Sequence, residues 1–211
     1  MWGFIKRELQ IKKIGHKNFH MGEKIGTRDL KIHITGASGS GVTTLGKALA
    51  ECLSVQCFDA DDFYWKPTNP PYQDKLPVTE RQQRLLEAIQ DCEGWIVAGS
   101  MDSWGEPILQ LMDVVIFLYV SSEIRIQRLR QREAKRYGQR LLPGGDMHEQ
   151  HNEFLKWAAQ YDQGTLEGRS KRRHEDWMIS LKCPVIRFDG DYSLDYLVAE
   201  TVSRLTGLKG F

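Results

Sequence analysis

A glycine-rich turn near the beginning of the chain has the residue types and the spacing to bind an anion. It reads GASGSGVT and fits the pattern GxxxxGx[ST]. Glycines at these positions let backbone N–H groups turn towards a phosphate, and a helix that begins directly after the turn adds the positive end of its dipole. The sequence therefore predicts a phosphate site formed by Gly36, Ala37, Ser38, Gly39, Ser40, Gly41, Val42, Thr43 and Thr44.

One position of this turn departs from the usual pattern. Val42 occupies the place at which such turns carry a lysine that reaches the terminal phosphates. An electrostatic contact of this kind is worth on the order of 3 kcal/mol to the reacting state. Lys47 lies a turn further along the predicted helix, where we do not expect it to reach back. Arginines elsewhere must supply the missing charge, unless the chain binds its ligand without efficient chemistry.

Three carboxylates follow the second predicted strand. Asp59, Asp61 and Asp62 lie in the segment FDADDFYW. Clustered carboxylates raise one another's pKa, so they need a cation or a hydrogen-bond donor nearby. The cluster is a candidate site for a metal ion and for a hydroxyl group, and a solvated acidic turn is the alternative.

An arginine-rich helix is predicted directly after the most apolar strand, in the segment DVVIFLYVSSEIRIQRLRQRE. Arg128 and Arg132 are four residues apart and therefore lie on one face of that helix. A planar guanidinium suits both stacking on an aromatic base and binding to phosphate. We expect Arg125 and Arg130 to belong to a solvated basic face.

Strands and helices alternate along the chain, which predicts an α/β protein with a doubly wound parallel sheet. Ligands of such sheets bind beyond the carboxyl ends of the strands, where the glycine turn, the acids and Gly99 fall. The predicted strands are Leu30 to Thr35, VQCFDAD, WIVAGS, DVVIFLYV and PVIRFDG. The predicted helices include Val42 to Leu53, Thr79 to Gln90 with Thr79 as its cap, and Ser122 to about Arg136.

Together these motifs resemble the nucleoside-monophosphate-kinase-like branch of the P-loop proteins, which contains adenylate kinase, shikimate kinase and gluconate kinase. The resemblance extends from about Lys31 to the end of the chain. It implies a three-layer P-loop NTPase fold with a five-stranded parallel sheet in the order 2-3-1-4-5 and a small helical lid. It also implies transfer of a phosphoryl group from ATP, with Mg²⁺, to a small-molecule acceptor such as a nucleoside, a nucleotide or a sugar acid.

The resemblance also implies roles for individual residues. Thr43 and Asp59 would hold Mg²⁺, and Asp61 would bind the acceptor hydroxyl, with Asp62 as the second choice for the base. Arg128 would stack on the adenine, and Arg132 would reach the phosphates.

Two further segments complete the implied site. The predicted lid (residues 136–174) supplies Arg169, Arg172 and Arg173 as candidates for stabilising the transferred group, with Arg136 and Arg140 behind them, and Arg169 and Arg173 are taken as catalytic. The predicted acceptor loop (residues 60–80) supplies Tyr64 and Tyr72, and Gly99 follows the third strand. The DGFPR-type segment of adenylate kinase is replaced here by AGSMDSW, so the grip on an acceptor phosphate is absent and the acceptor stays open.

The bulk composition adds few restrictions. The chain has 211 residues and a formal net charge of +1, which provides no overall field towards nucleic acid or membrane. A chain of this length suits a single domain, which we expect over residues 30–211. We expect it to act as a monomer or homodimer in the cytoplasm, where its four cysteines would be reduced. Residues 1–29 are interpreted as a dispensable extension, with Met21 as an alternative start.

Overall fold

The computed structural model describes residues 29–164 and 169–208. Its five strands are β1 (Lys31–Gly36), β2 (Gln56–Asp59), β3 (Trp95–Ala98), β4 (Val114–Tyr119) and β5 (Val185–Asp189). They form one parallel sheet in the order β2-β3-β1-β4-β5. The predicted fold class and strand order are confirmed.

Helices connect the strands on both faces of the sheet. They are α1 (Val42–Leu53), α2 (Ala60–Tyr64), α3 (Val78–Ile89), α4 (Glu106–Leu109), α5 (Ser122–Tyr137), α6 (His148–Ala159), α7 (Lys171–Ile179) and α8 (Leu194–Leu208). Two 3₁₀ turns, Gly138–Leu141 and Gln160–Gln163, flank α6. Helix α1 has the bounds predicted from the sequence, Val42 to Leu53. Helices α2, α4 and α8 were not predicted.

The core consists of two apolar clusters, one on each face of the sheet. One cluster joins α1 and α8 to the central strands through Leu45, Leu49 and Leu205, all fully buried. The other packs α3 and α4 against the opposite face through Leu85, Trp95 and Ile108. Strands β3 and β4 are covered on both faces and their sequences are almost continuously apolar, whereas β1 also buries the polar residues His33 and Thr35.

The parallel register brings the carboxyl ends of three strands to one edge of the sheet. Asp59 at the end of β2 pairs with Ala98 of β3, and Ala98 pairs with Ile34 of β1. Gly99 and the glycine turn follow directly. The sheet thus sets the acids beside the predicted phosphate site.

The predicted cap of α3 is wrong. That helix begins at Val78 after Pro77, and no side chain caps it. Because the helix begins at Val78, Thr79 lies inside its first turn, where its hydroxyl is not at the capping position.

Among the described residues, no helix is both long enough and apolar enough to cross a bilayer. The interpretation of residues 1–28, including Met21, falls outside the described part of the chain.

Candidate active site

The glycine turn adopts a conformation that leaves room for an anion. Gly39 and Gly41 have positive φ angles of 84° and 99°, which side-chain-bearing residues rarely adopt. A Cβ at Gly39 would lie 2.7 Å from the carbonyl oxygen of Arg125, so this position also needs glycine for space. The hydroxyl oxygen of Ser40 is buried and has no hydrogen-bond partner within the described residues. A buried hydroxyl without a partner fits a bound phosphate oxygen.

Thr43 and Asp59 meet where α1 begins. The Thr43 hydroxyl donates to Asp59 Oδ2 at 3.2 Å. The other carboxylate oxygen of Asp59 accepts the backbone N–H of Asp61 at 3.1 Å and so caps α2. Gly99, with a φ of 124°, lets its backbone pass close by, because a Cβ there would lie 2.9 Å from Ala60 Cβ.

The described residues contain no cluster of three or more His, Cys, Asp or Glu side chains that could hold a metal ion alone. Thr43 and Asp59 are two oxygen donors of the kind Mg²⁺ prefers. Mg²⁺ in phosphoryl-transfer sites takes one or two protein ligands together with phosphate oxygens. The donor set therefore fits Mg²⁺ only in company with a nucleotide.

Asp61 lies between negative and positive groups. Burial raises the pKa of its carboxyl group, and the charge of Asp59 raises it further, whereas Arg169 and Arg132 lower it. The pKa of Asp62 is also raised by burial and by Asp59, but the cation that lowers it is Lys47. The two aspartates therefore interact with different cations, and of the two it is Asp61 whose pKa the arginines lower.

Arg169 and Arg173 of the predicted lid share a carboxylate. Burial lowers the pKa of the Arg169 guanidinium, and Asp61 and Asp102 counteract this. Arg173 Nε donates to Asp102 Oδ1 at 3.1 Å. The sequence analysis did not single out Asp102. Its position in the segment AGSMDSW, shortly after the end of β3, is a signal that could have identified it. Arg172, by contrast, lies on the surface and pairs only loosely with Asp176, at 3.8 Å.

The two arginines on the common face of α5 differ in their surroundings. Arg132 Nε donates to Glu133 at 2.8 Å, and its charge reaches both Asp61 and Tyr72. Arg128 forms an ion pair with Asp191, in the loop after β5. Arg132 therefore interacts with the acids, whereas Arg128 pairs with Asp191, and the stacking of Arg128 on an adenine stays a prediction.

The two tyrosines of the predicted acceptor loop also differ. The Tyr64 ring packs on the guanidinium of Arg81 at 3.8 Å, and Arg81 is itself buried and donates to the Leu76 carbonyl at 2.7 Å. Tyr72 is 40% exposed, and its hydroxyl lies within the electrostatic reach of Asp61 and Arg132. Tyr72 therefore faces the site, and Tyr64 mainly supports the loop.

Helix α6 of the predicted lid contacts the predicted acceptor loop. Gln150 accepts from Gln73 Nε2 at 2.9 Å and donates to the Pro71 carbonyl at 3.1 Å. Arg140, in the preceding 3₁₀ turn, donates to Asn69 at 3.1 Å. These contacts hold the two segments together at the mouth of the site.

The expectation for Arg125 is wrong, because this residue is fully buried. Its guanidinium donates to three backbone carbonyls, those of Val120, Ser38 and Ala158, and forms an ion pair with Asp162. A buried charge requires such partners. Arg130 is exposed, as expected.

Two buried histidines make folding stability depend on pH. Burial lowers the pKa of His33 to about 4 and that of His174 to about 3. Between pH 6.5 and 4 the unfolded chain therefore binds more protons than the folded one, and stability falls as the pH falls. From pH 7 to pH 5 we expect a loss of about 2 kcal/mol per histidine, at 1.36 kcal/mol per pH unit below 6.5.

Urea denaturation at the two pH values measures this loss. His174→Gln is the matched variant, and it should lose about half as much free energy of unfolding between pH 7 and pH 5 as the wild type does. Equal stabilities of the wild type at both pH values would contradict this account.

Comparison with known proteins gives one family and several relatives. The family model described as "AAA domain" matches residues 32–153. The chain is 39% identical over 175 residues to the uncharacterised protein YqaC of Bacillus subtilis (strain 168), covering 83% of this chain and 97% of that one. It is 26% identical over 117 residues to the cytidylate kinase of Archaeoglobus fulgidus, covering 50% and 63% of the two chains.

Among solved structures, the shikimate kinase from Acinetobacter baumannii in complex with shikimate is similar, with a TM-score of 0.55. The match covers 88% of this chain and 98% of that one, with 17% of residues identical. At this level of identity the likeness concerns the fold.

Proposed function

The chain belongs to the family described by the AAA domain model, within the nucleoside-monophosphate-kinase-like P-loop proteins, and on that premise we propose that it transfers the γ-phosphoryl group of ATP to a hydroxyl of a small molecule. The observation that carries the proposal is the position of Asp61, at the edge of the phosphate turn and between an acid and two arginines.

Asp61 would act as the proton acceptor. When the acceptor oxygen forms its bond to the γ-phosphorus, the bond from that phosphorus to the bridging oxygen breaks and ADP leaves. The hydroxyl proton passes to the Asp61 carboxylate. Burial and the charge of Asp59 raise the pKa of this carboxyl group, which makes its carboxylate a stronger base than that of a solvated aspartate.

Arginines would take over the part of the missing lysine. Arg169 and Arg132 both act electrostatically on Asp61, which supports the proposal that their charges stabilise the transferred group. Guanidinium groups bind phosphate oxygens through two parallel hydrogen bonds. Asp102 keeps Arg173 next to Arg169, which supports a second positive group at the same place.

Backbone N–H groups of the glycine turn and the Ser40 hydroxyl would hold the phosphates, and Thr43 and Asp59 would hold Mg²⁺. Mg²⁺, when bound, neutralises charge on the phosphate oxygens.

The function is tested by incubating the purified full-length protein with ATP and Mg²⁺ and a panel of nucleosides, nucleotides and sugar acids. We expect ADP release that one class of acceptor stimulates, together with a phosphorylated product seen by mass spectrometry. ATP consumption that no acceptor changes, or none at all, would argue against a kinase.

Val42 favours one alternative, a nucleotide-binding regulatory module that closes on ATP without efficient transfer. The two functions differ in their dependence on Mg²⁺. A kinase should bind ATP more tightly with Mg²⁺ than without it, and Asp59→Asn should remove the difference. Equal affinity under both conditions, unchanged in Asp59→Asn, would favour the module.

A further inference from the structure

Arg125 lies at the junction of three segments that are far apart in sequence. Its Nε donates to the Val120 carbonyl at 3.0 Å, which fixes the side chain at the beginning of α5. One Nη1 contact reaches the carbonyl of Ser38 in the glycine turn at 3.4 Å, and another reaches that of Ala158, at the end of α6, at 3.1 Å. A single side chain thus touches both the phosphate turn and the predicted lid.

The ion pair with Asp162 completes the junction. Arg125 Nη2 donates to Asp162 Oδ2 at 2.9 Å. The other oxygen of Asp162 is buried and has no hydrogen-bond partner within residues 29–164 and 169–208. Asp162 lies in the 3₁₀ turn that directly follows α6. The position of this turn therefore depends on the buried guanidinium.

The backbone of Arg125 constrains the glycine turn as well. Its carbonyl oxygen would lie 2.7 Å from a Cβ at Gly39, which means that α5 and the turn are in direct contact there. If the glycine turn moves, α5 must move with it, or the contact between Gly39 and the Arg125 carbonyl is lost. Packed interiors transmit such displacements because they contain little free volume.

The opposite end of α6 contacts the predicted acceptor loop through Gln150. A continuous set of contacts therefore runs from the glycine turn through Arg125 to α6, and from α6 to the loop that carries Tyr72. Packed side chains and hydrogen bonds of this kind can carry energetic coupling between two sites.

We propose that Arg125 is a positioning residue that couples the phosphate turn to helix α6, so that nucleotide in the turn orders the predicted lid and the acceptor loop beneath it. The proposal rests on the proposed function, since it requires nucleotide at the glycine turn. Arg125 itself touches backbone carbonyls and Asp162, and it acts on the ligand through the turn.

The test uses the full chain and a non-hydrolysable ATP analogue, AMP-PNP, with Mg²⁺. Calorimetry first measures its affinity for the wild type. Hydrogen exchange of α6 is then compared without the analogue and at saturation. In the wild type we expect saturation to slow exchange in α6 by at least about 5-fold, the lower end of common coupling free energies.

Asp162→Asn is the decisive variant, because it removes the charge of the pair without touching the turn. Its exchange in α6 should change by less than about 2-fold on saturation, while exchange in β1 and β4 stays as in the wild type. Asp176→Asn is the matched control, since Asp176 is exposed and its ion pair among the described residues is with Arg172. It should retain the full effect. Arg125→Lys should behave like Asp162→Asn, because lysine keeps the charge but not the fork of donors.

The outcomes separate the two proposals. Tight binding of AMP-PNP with no protection of α6 in the wild type, or with full protection in Asp162→Asn, overturns the coupling and leaves the kinase proposal standing. A wild type that binds no AMP-PNP overturns the proposed function, and the coupling falls with it.

Discussion

The Asp61→Asn variant should lose two to four orders of magnitude in kcat, roughly the range attributed to a positioned general base, while its affinity for ATP stays within a few-fold of the wild type. Asparagine has nearly the same shape as aspartate but cannot accept the proton. Asp61 is the acid that faces Arg169 and Arg132, so the charge at the reacting centre changes as well.

The matched control is Asp62→Asn, which alters the neighbouring carboxylate that interacts with Lys47 instead. This variant should keep kcat within about tenfold of the wild type, because the cation that acts on Asp62 is Lys47 and not Arg169 or Arg132. Both variants are assayed with the acceptor identified by the panel. If Asp62→Asn were the more damaging of the two, the base would be Asp62.

The second large effect is expected for Arg169→Ala, which should lower kcat by about two to three orders of magnitude, as the loss of one charge-stabilising donor does in other enzymes. Arg169 is the arginine of the predicted lid whose charge acts on Asp61, and position 42 carries valine in place of a lysine that could share this task. KM for the acceptor should change less than kcat, because the contact strengthens as charge develops.

Arg172→Ala provides the comparison, since Arg172 is exposed and lies in the same basic segment. Its kcat and KM should equal those of the wild type. Arg169→Lys should recover part of the activity, because lysine restores the charge without the fork. Similar losses in the Arg169 and Arg172 variants would mean that the lid acts through its net charge rather than through a single side chain.

The sequence predicted the sheet and its order because those features have strong local signals. Apolar runs rich in β-branched residues mark β1 and β4, and the glycine turn after β1 indicates where a helix must begin. The phosphate turn itself needed only eight residues to be recognised. Helix α2 was missed because its five residues are too few for a helical periodicity to show.

Contacts between distant residues could not be predicted in this way. The burial of Arg125 depends on carbonyls of Ser38 and Ala158, which lie 87 and 33 residues away in sequence. The spacing of Arg125 from Arg128 also fits a solvent-exposed face of the helix. The helical pattern therefore predicted an exposed side chain, whereas Arg125 is buried. The pairing of Asp102 with Arg173 spans 71 residues and likewise has no local signal.

Val42 has a consequence for the ligand-free protein. Its side chain packs against the apolar cluster around α1, so the residue that replaces the lysine contributes to folding. A lysine in an empty phosphate turn would place its ammonium group beside inward-facing N–H dipoles, and that repulsion would favour other conformations of the turn. Valine removes the repulsion. Part of the conformational entropy of ordering the turn is therefore lost when the chain folds, which lowers the entropic cost of binding nucleotide there.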